Sequence, residues 1–213
     1  FSAIPTIAQE DSAREIEEVV ITALRKETNL QDTAITITAI TGDDLEVKQI
    51  ENFEDLQFAV PTLGFAKGAY SGSAITLRGI GNFAVGNSAS ASIGYFWNGQ
   101  TASASGLYEQ EFFDVERVEV LRGPQGSLFG AGTTGGLIQM ITKRPDAEAG
   151  GYLKADIADY DSLRLEGAVN LPLTDRLRSR FAFASLQREG FVTNNHTGNK
   201  LDDRNTQGGR MSF

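Results

Sequence analysis

Cysteine is absent from all 213 residues, so neither a disulfide framework nor a thiolate metal site is available. Histidine occurs once, as His196 in a polar stretch, without the partners that a metal centre or a histidine-based triad needs. No run of eighteen apolar residues exists, so no helix spans a membrane, and a membrane role has to come from strands. Basic charge is scarce at the front. Residues 1–150 hold 10 basic and 20 acidic side chains, whereas residues 151–213 hold 9 and 8. An acidic front half argues against a nucleic-acid partner, which requires a basic face. The change of charge habit predicts two structural units. No catalytic constellation, metal site or cofactor motif emerges, so no enzyme is expected.

Residues 1–9 are small and apolar and precede Glu10 and Asp11. With Thr6-Ile7-Ala8 as a small-residue cleavage site, they read as the tail of a secretory signal, the alternative being a disordered end. Residues 10–32 are polar apart from Val19-Val20-Ile21. That island is too short to build a sheet alone and is expected to stay mobile until another strand pairs with it.

Alternation from Ala34 to Ile40 predicts a strand. Thr41-Gly42-Asp43 opens a helix with carboxylates in its first turn, and Asn52 caps a second helix that Pro61 ends. Residues 64–73 and 79–92 are rich in small residues and read as loops on either side of a strand at Ile75–Arg78. Gly94 to Trp97 forms another strand, turned at the hairpin dipeptide Asn98-Gly99. Val115 to Leu121 and Leu137 to Thr142 are apolar strands separated by the glycine-rich stretch 126–136.

The pattern changes after Gly151. Leu153, Ala155 and Ile157 alternate with Lys154 and Asp156; Leu163, Leu165, Val169 and Leu171 alternate with Arg164, Glu166 and Asn170. Phe181 and Phe183 lead a third segment with Arg178 and Arg180 on its opposite face. Such runs approach the ~9–11 residues of a tilted membrane strand, with one lipid-facing and one charged side. A β-sandwich also alternates. A tight turn at Pro172–Arg176 and a long polar loop around Gly190–Gln207 favour the barrel, where short turns and long loops occupy opposite ends.

Two glycine patterns mislead. Gly130-x-Gly132-x-x-Gly135, with Asp156 some twenty residues on, matches the dinucleotide fingerprint. That fingerprint needs a helix N-terminus at its last glycines to meet pyrophosphate, and the apolar run Leu137–Thr142 predicts a strand instead. Gly79-x-Gly81-x-x-Ala84 leads into more Ser, Ala and Asn. Both sets are turn glycines.

Glu116 to Gly126, continuing to Leu128-Phe129-Gly130, and Gly135 to Pro145 together resemble the plug domain of TonB-dependent receptors. Ile75-Thr76-Leu77-Arg78-Gly79 is similar to that family's earlier strand and loop, and Glu18-Val19-Val20-Ile21-Thr22-Ala23 to its TonB box. Within these motifs Asn98 stands where Asp is common, Trp97 where a β-branched residue is usual, and Gln139 where Asn is frequent. The resemblance implies an α+β plug domain, a small mixed sheet with short helices, followed by the first antiparallel strands of an incomplete transmembrane β-barrel. The expected division is a signal remnant or disordered segment at 1–16 and a TonB box at 17–23. A plug at 24–147 follows, and about the first four strands of a 22-stranded barrel at 151–213.

The resemblance also implies a function. A scarce solute, by family default a ferric siderophore, is taken up across the bacterial outer membrane with energy delivered by TonB and its inner-membrane complex. Cobalamin, glycans and other organic nutrients are open as substrates. A ligand-sensing signal transducer is the alternative; it carries a further folded domain before the box, and the sixteen residues seen there favour transport. The expected partners are TonB, an extracellular small molecule and outer-membrane lipid. TonB binding is assigned to Glu18, Val19, Val20, Ile21, Thr22 and Ala23, where main-chain pairing gives the affinity. Ligand contact is assigned to Tyr70 and Phe83 in the small-residue loops. Arg78 and Arg122 are assigned to contacts between plug and barrel, with their carboxylate partners on strands beyond Phe213.

Overall fold

The computed structural model describes residues 20–21, 28–29, 36–67, 73–81, 92–102, 108–174 and 176–213. The first two strands, β1 (Val20–Ile21) and β2 (Thr28–Asn29), pair antiparallel with Val20 opposite Asn29. Then follow β3 (Ile37–Thr41), α1 (Gly42–Val47), α2 (Phe53–Ala59), β4 (Leu63–Lys67), β5 (Ser73–Leu77) and β6 (Ile80–Gly81). The first unit ends with β7 (Ile93–Trp97), β8 (Gln100–Thr101), β9 (Val115–Arg122), α3 (Gly126–Phe129) and β10 (Gly136–Thr142). Its main sheet runs β3-β9-β10-β7-β8, with β10 and β7 parallel and the other neighbours antiparallel. A smaller sheet runs β4-β5-β6.

Local chemistry accounts for the helix starts. Thr41 Oγ1 accepts from Asp44 N at 3.2 Å, and Asn52 Oδ1 accepts from Asp55 N at 3.1 Å. Each cap satisfies an orphan amide, and the acidic first turns suit the positive end of the helix dipole. The expected hairpin is present: Asn98 and Gly99 both have positive φ, as a two-residue turn joining right-twisted strands requires.

The main sheet is covered on both faces. Val118, Val120, Ile138, Met140, Ile93 and Tyr95 pack with α2, whose Phe53 and Leu56, like the following Val60, are fully buried. The Phe53 ring meets Tyr95 and Phe112 edge-on, at centroid distances of 5.0 and 5.1 Å. On the opposite face Phe96, Leu121 and Leu137 close over Phe129 of α3. Strands buried on both faces read as continuous apolar runs, which is why β10 shows no alternation in sequence.

Three expectations need correction. Residues 64–73 are not one loop. Leu63 to Lys67 form β4 against β5, with Phe65 opposite Ile75. Gly64 and Ala66 hid a period-two pattern by offering no polar contrast. The glycine-rich stretch 126–136 contains the one-turn helix α3. The long polar loop ends at Asp203, because Arg204–Ser212 is a strand whose polar sequence carries no hydrophobic signal.

The second unit is a meander of β11 (Gly150–Ala158), β12 (Ser162–Pro172), β13 (Arg178–Arg188) and β16 (Arg204–Ser212), hydrogen-bonded in that order. Between β13 and β16 lies a small hairpin of β14 (Val192–Thr193) and β15 (Lys200–Leu201). The four long strands have 9, 11, 11 and 9 residues, the length expected of tilted membrane strands. Val169, Leu171, Phe181, Phe183 and Met211 are exposed on one side of the sheet. Arg164, Ala168, Asn170, Ala182 and Ala184 are buried on the other, against the first unit.

Candidate functional site

Period-two alternation aims Arg164, Glu166 and Asn170 of β12, Arg180 of β13, and Arg204 and Arg210 of β16 at the first unit. What they meet is the segment Glu111–Asp114, which enters β9. Asp114 has φ 51°, a left-handed conformation that aspartate tolerates better than most residues. That turn directs both its backbone and its side chain at the four-stranded sheet. Its amide donates to Glu166 Oε1 at 3.0 Å, and its carbonyl accepts from Arg210 Nη2 at 3.0 Å.

The Asp114 carboxylate has no exposed surface and receives two guanidiniums. Arg180 donates in a fork, Nε to Oδ2 at 2.9 Å and Nη2 to Oδ1 at 2.5 Å, while Arg210 Nη2 donates to Oδ2 at 2.6 Å. Forked, charge-assisted bonds of this kind are the strong ones. Arg210 also lies over the Phe113 ring, 5.3 Å from its centroid. Phe113 in turn rests on Gly208, where a Cβ would come within 3.1 Å of the ring.

Arg164 makes a second clamp. Its Nη1 lies 3.1 Å from Glu51 Oε2 and 3.2 Å from Glu111 Oε2, and its Nη2 donates to the Phe112 carbonyl at 2.8 Å. Arg204 Nη1 reaches the other oxygen of Glu111 at 3.3 Å, without hydrogen-bond alignment. Burial pushes the Glu111 carboxyl above its ordinary range, against the pull of Arg204 and Arg164. Glu51 is also raised, by its burial, against Arg164. The link between the units is held as well: Asn170 accepts from Asp146 N at 2.9 Å and donates to the carbonyls of Asp146 and Glu148. Further out, Lys154 pairs with Glu46.

Two clefts flank this seam. The larger, about 810 Å³, lies between Trp97, Tyr108 and Glu111 on one side and Arg164, Arg204 and Thr206 on the other. The smaller, about 710 Å³, lies between α1 and the inner faces of β11 and β12.

Arg122 is held differently. Its Nε donates to Thr62 Oγ1 at 2.9 Å and its Nη2 to Thr38 Oγ1 at 2.7 Å. Burial lowers its pKa, and the nearby Arg78 adds to the effect. Arg78 has φ 52° and is exposed. Among the described residues no carboxylate pairs with either arginine. Tyr70, Phe83, Glu18, Val19, Thr22 and Ala23 lie outside the described residues, and of the box Val20 and Ile21 are seen as strand β1. Sequence reasoning identified the polar face of β12 but missed Asp114 and Glu111 as its partners. The one available signal was an acidic segment, Glu109 to Asp114, interrupted by two phenylalanines.

Comparison with known proteins bears on this arrangement. The sequence model of the TonB-dependent Receptor Plug Domain matches residues 29–137. The pesticin receptor of Yersinia pestis is 26% identical over 183 residues, covering 82% of this chain and 26% of that protein. The ferripyoverdine receptor of Pseudomonas aeruginosa is 29% identical over 192 residues, covering 86% of this chain and 22% of that protein. The chain thus spans about a quarter of the length of the curated relatives it matches. In three dimensions it resembles the ferric yersiniabactin uptake receptor FyuA from Yersinia pestis, with a TM-score of 0.70 and 26% identity, covering 83% of this chain and 28% of that one. The chain belongs to the TonB-dependent receptors of the outer membrane: a plug domain docked on the inner face of antiparallel barrel strands.

Proposed function

We propose that this chain is the gated front part of a receptor that takes up a ferric siderophore across the outer membrane with energy from TonB. The observation that carries this reading is the charged seam. A plug held against one face of the barrel strands by ion pairs at a few points, with open clefts beside them, would close a pore without filling the whole interface. A hydrophobic interface would fuse the two units instead. The ferripyoverdine and ferric yersiniabactin receptors, which share sequence over most of this chain, support iron chelates as the substrate class.

On this reading residues 17–23 are the TonB box, 24–147 the plug and 151–213 the first barrel strands. Glu18 to Ala23 pair with TonB by strand addition. Tyr70 and Phe83 contact ligand at the outer face of the plug. Arg78 and Arg122 meet carboxylates on further strands of the wall; the absence of an acidic partner for Arg122 among the described residues supports this. The test is uptake of radiolabelled iron by cells carrying the full-length receptor, supplied as ferric pyoverdine and ferric yersiniabactin. Val20→Pro removes a backbone donor and fixes φ, so it should abolish uptake at normal receptor levels. Full uptake by Val20→Pro would refute the coupling assignment, and no uptake of either chelate by the wild type would refute the substrate class.

A further inference from the structure

Just before β9 the chain has no ladder of its own, since residues 110–114 belong to no helix or strand. Side chains set its course instead. Tyr108 and Phe112 turn into the plug core, where their rings lie 5.9 and 5.1 Å from the Phe53 centroid. Phe112 N also donates to the Glu51 carbonyl at 2.6 Å. The neighbouring residues face two different partners. Glu109 Oε1 accepts from the Ser73 hydroxyl at 2.7 Å. Ser73 is 6% exposed and opens β5, where it lies opposite Lys67, the last residue of β4. Glu111 and Asp114 meet Arg164, Arg180 and Arg210 of the wall.

We infer that Glu109 is a positioning residue, and that residues 109–114 form a strap coupling the β4–β5 hairpin to the wall. Contacts at Glu109, Glu111, Phe112 and Asp114 share one short stretch of backbone, so losing one changes the geometry open to the others. No sheet partner holds residues 110–114 in place when such a contact is lost. The Ser73–Glu109 bond is charge-assisted, which makes it the firm end of the strap on the hairpin side. The other end is the left-handed turn at Asp114, held by Glu166, Arg180 and Arg210. This coupling goes beyond the uptake reading and stands without it. On that reading Tyr70 lies in sequence between β4 and β5, so the strap would carry a change at the ligand-contacting hairpin to the wall.

Hydrogen exchange of the β4 and β5 amides in the full-length receptor tests the coupling without any ligand, so its failure is separate from failure of the uptake reading. Asp114→Asn weakens the wall end and should speed exchange in both strands several-fold. Ser73→Ala and Glu109→Ala should each do the same, whereas Glu109→Gln, which keeps the acceptor, should exchange as wild type does. In the Ser73→Ala background Asp114→Asn should add nothing further. General loosening of the plug would instead multiply the two effects, and that result overturns the inference. So does unchanged exchange in Asp114→Asn, or a Glu109→Gln receptor that behaves as Glu109→Ala. Should Asp114→Asn not fold, Arg210→Lys takes its place in the same comparison, because it keeps the charge and loses the bonds from Nη2 to Asp114.

Discussion

At Asp114 two guanidiniums converge on a carboxylate with no exposed surface, whereas at Arg122 one guanidinium is divided between the hydroxyls of Thr38 and Thr62. The first site gives its buried carboxylate two cationic partners. The second holds a cation with neutral partners, lowered in pKa by its own burial and by Arg78. The difference separates a carboxylate whose cations come from the same chain from a guanidinium held by neutral groups. A buried carboxylate met by two guanidiniums marks an interface formed within the chain. An unbalanced, half-buried arginine marks a place where an anion from elsewhere would be stabilising.

The comparison breaks most sharply at Asp114. Asp114→Ala leaves Arg180 and Arg210 facing one another without an anion and should cost about 3–5 kcal/mol, the usual loss when one member of a buried pair is removed. Urea unfolding monitored by the fluorescence of Trp97 measures this, since Trp97 is the single tryptophan and lines the cleft beside the seam. A loss below about 1 kcal/mol would mean that the Asp114 cluster is hydrated and contributes as a surface pair does.

Arg122→Ala should cost less within this chain, about 1–2 kcal/mol, because it removes hydrogen bonds to two neutral acceptors and relieves the burial of a cation. In the full-length receptor the same substitution should cost more and raise leakage of small solutes. Equal losses in chain and receptor, with leakage unchanged, would show that no carboxylate of the wall reaches Arg122.

A third change refines the seam itself. The Glu111 carboxyl is raised above 4.5 by burial, so it favours the folded state when protonated. That contribution is complete below pH 4.5 and is lost as pH rises through the raised folded value. Glu111→Gln removes the titration, so its stability relative to wild type should improve as pH climbs from 4.5 towards neutrality. A pH-independent difference would show that Arg164 and Arg204 fully offset the burial. The smallest effect is expected at Lys48, half exposed and paired with Asp44 one helical turn away at 3.3 Å. Lys48→Ala should change stability by less than about 0.5 kcal/mol in the same unfolding assay.

The sequence by itself determined what depends on near neighbours. Thr41 and Asn52 cap their helices because a side-chain oxygen three residues away reaches the free amide. Asn98-Gly99 turns a hairpin because both residues accept positive φ. Leu137 to Thr142 is a strand despite its preceding glycines, since its apolar run fits a position buried on both faces. The inward and outward faces of β12 and β13 were also legible from their period of two. Only the tertiary structure decided β4 and β16, whose residues offer little hydrophobic contrast and become strands by pairing with β5 and β13. It alone brought Asp114 to Arg180 and Arg210, 66 and 96 residues away. A helix cap or a tight turn is fixed by bonds within a few residues. A charge pair between two units depends on which faces come together, and that is set by the packing of the whole chain.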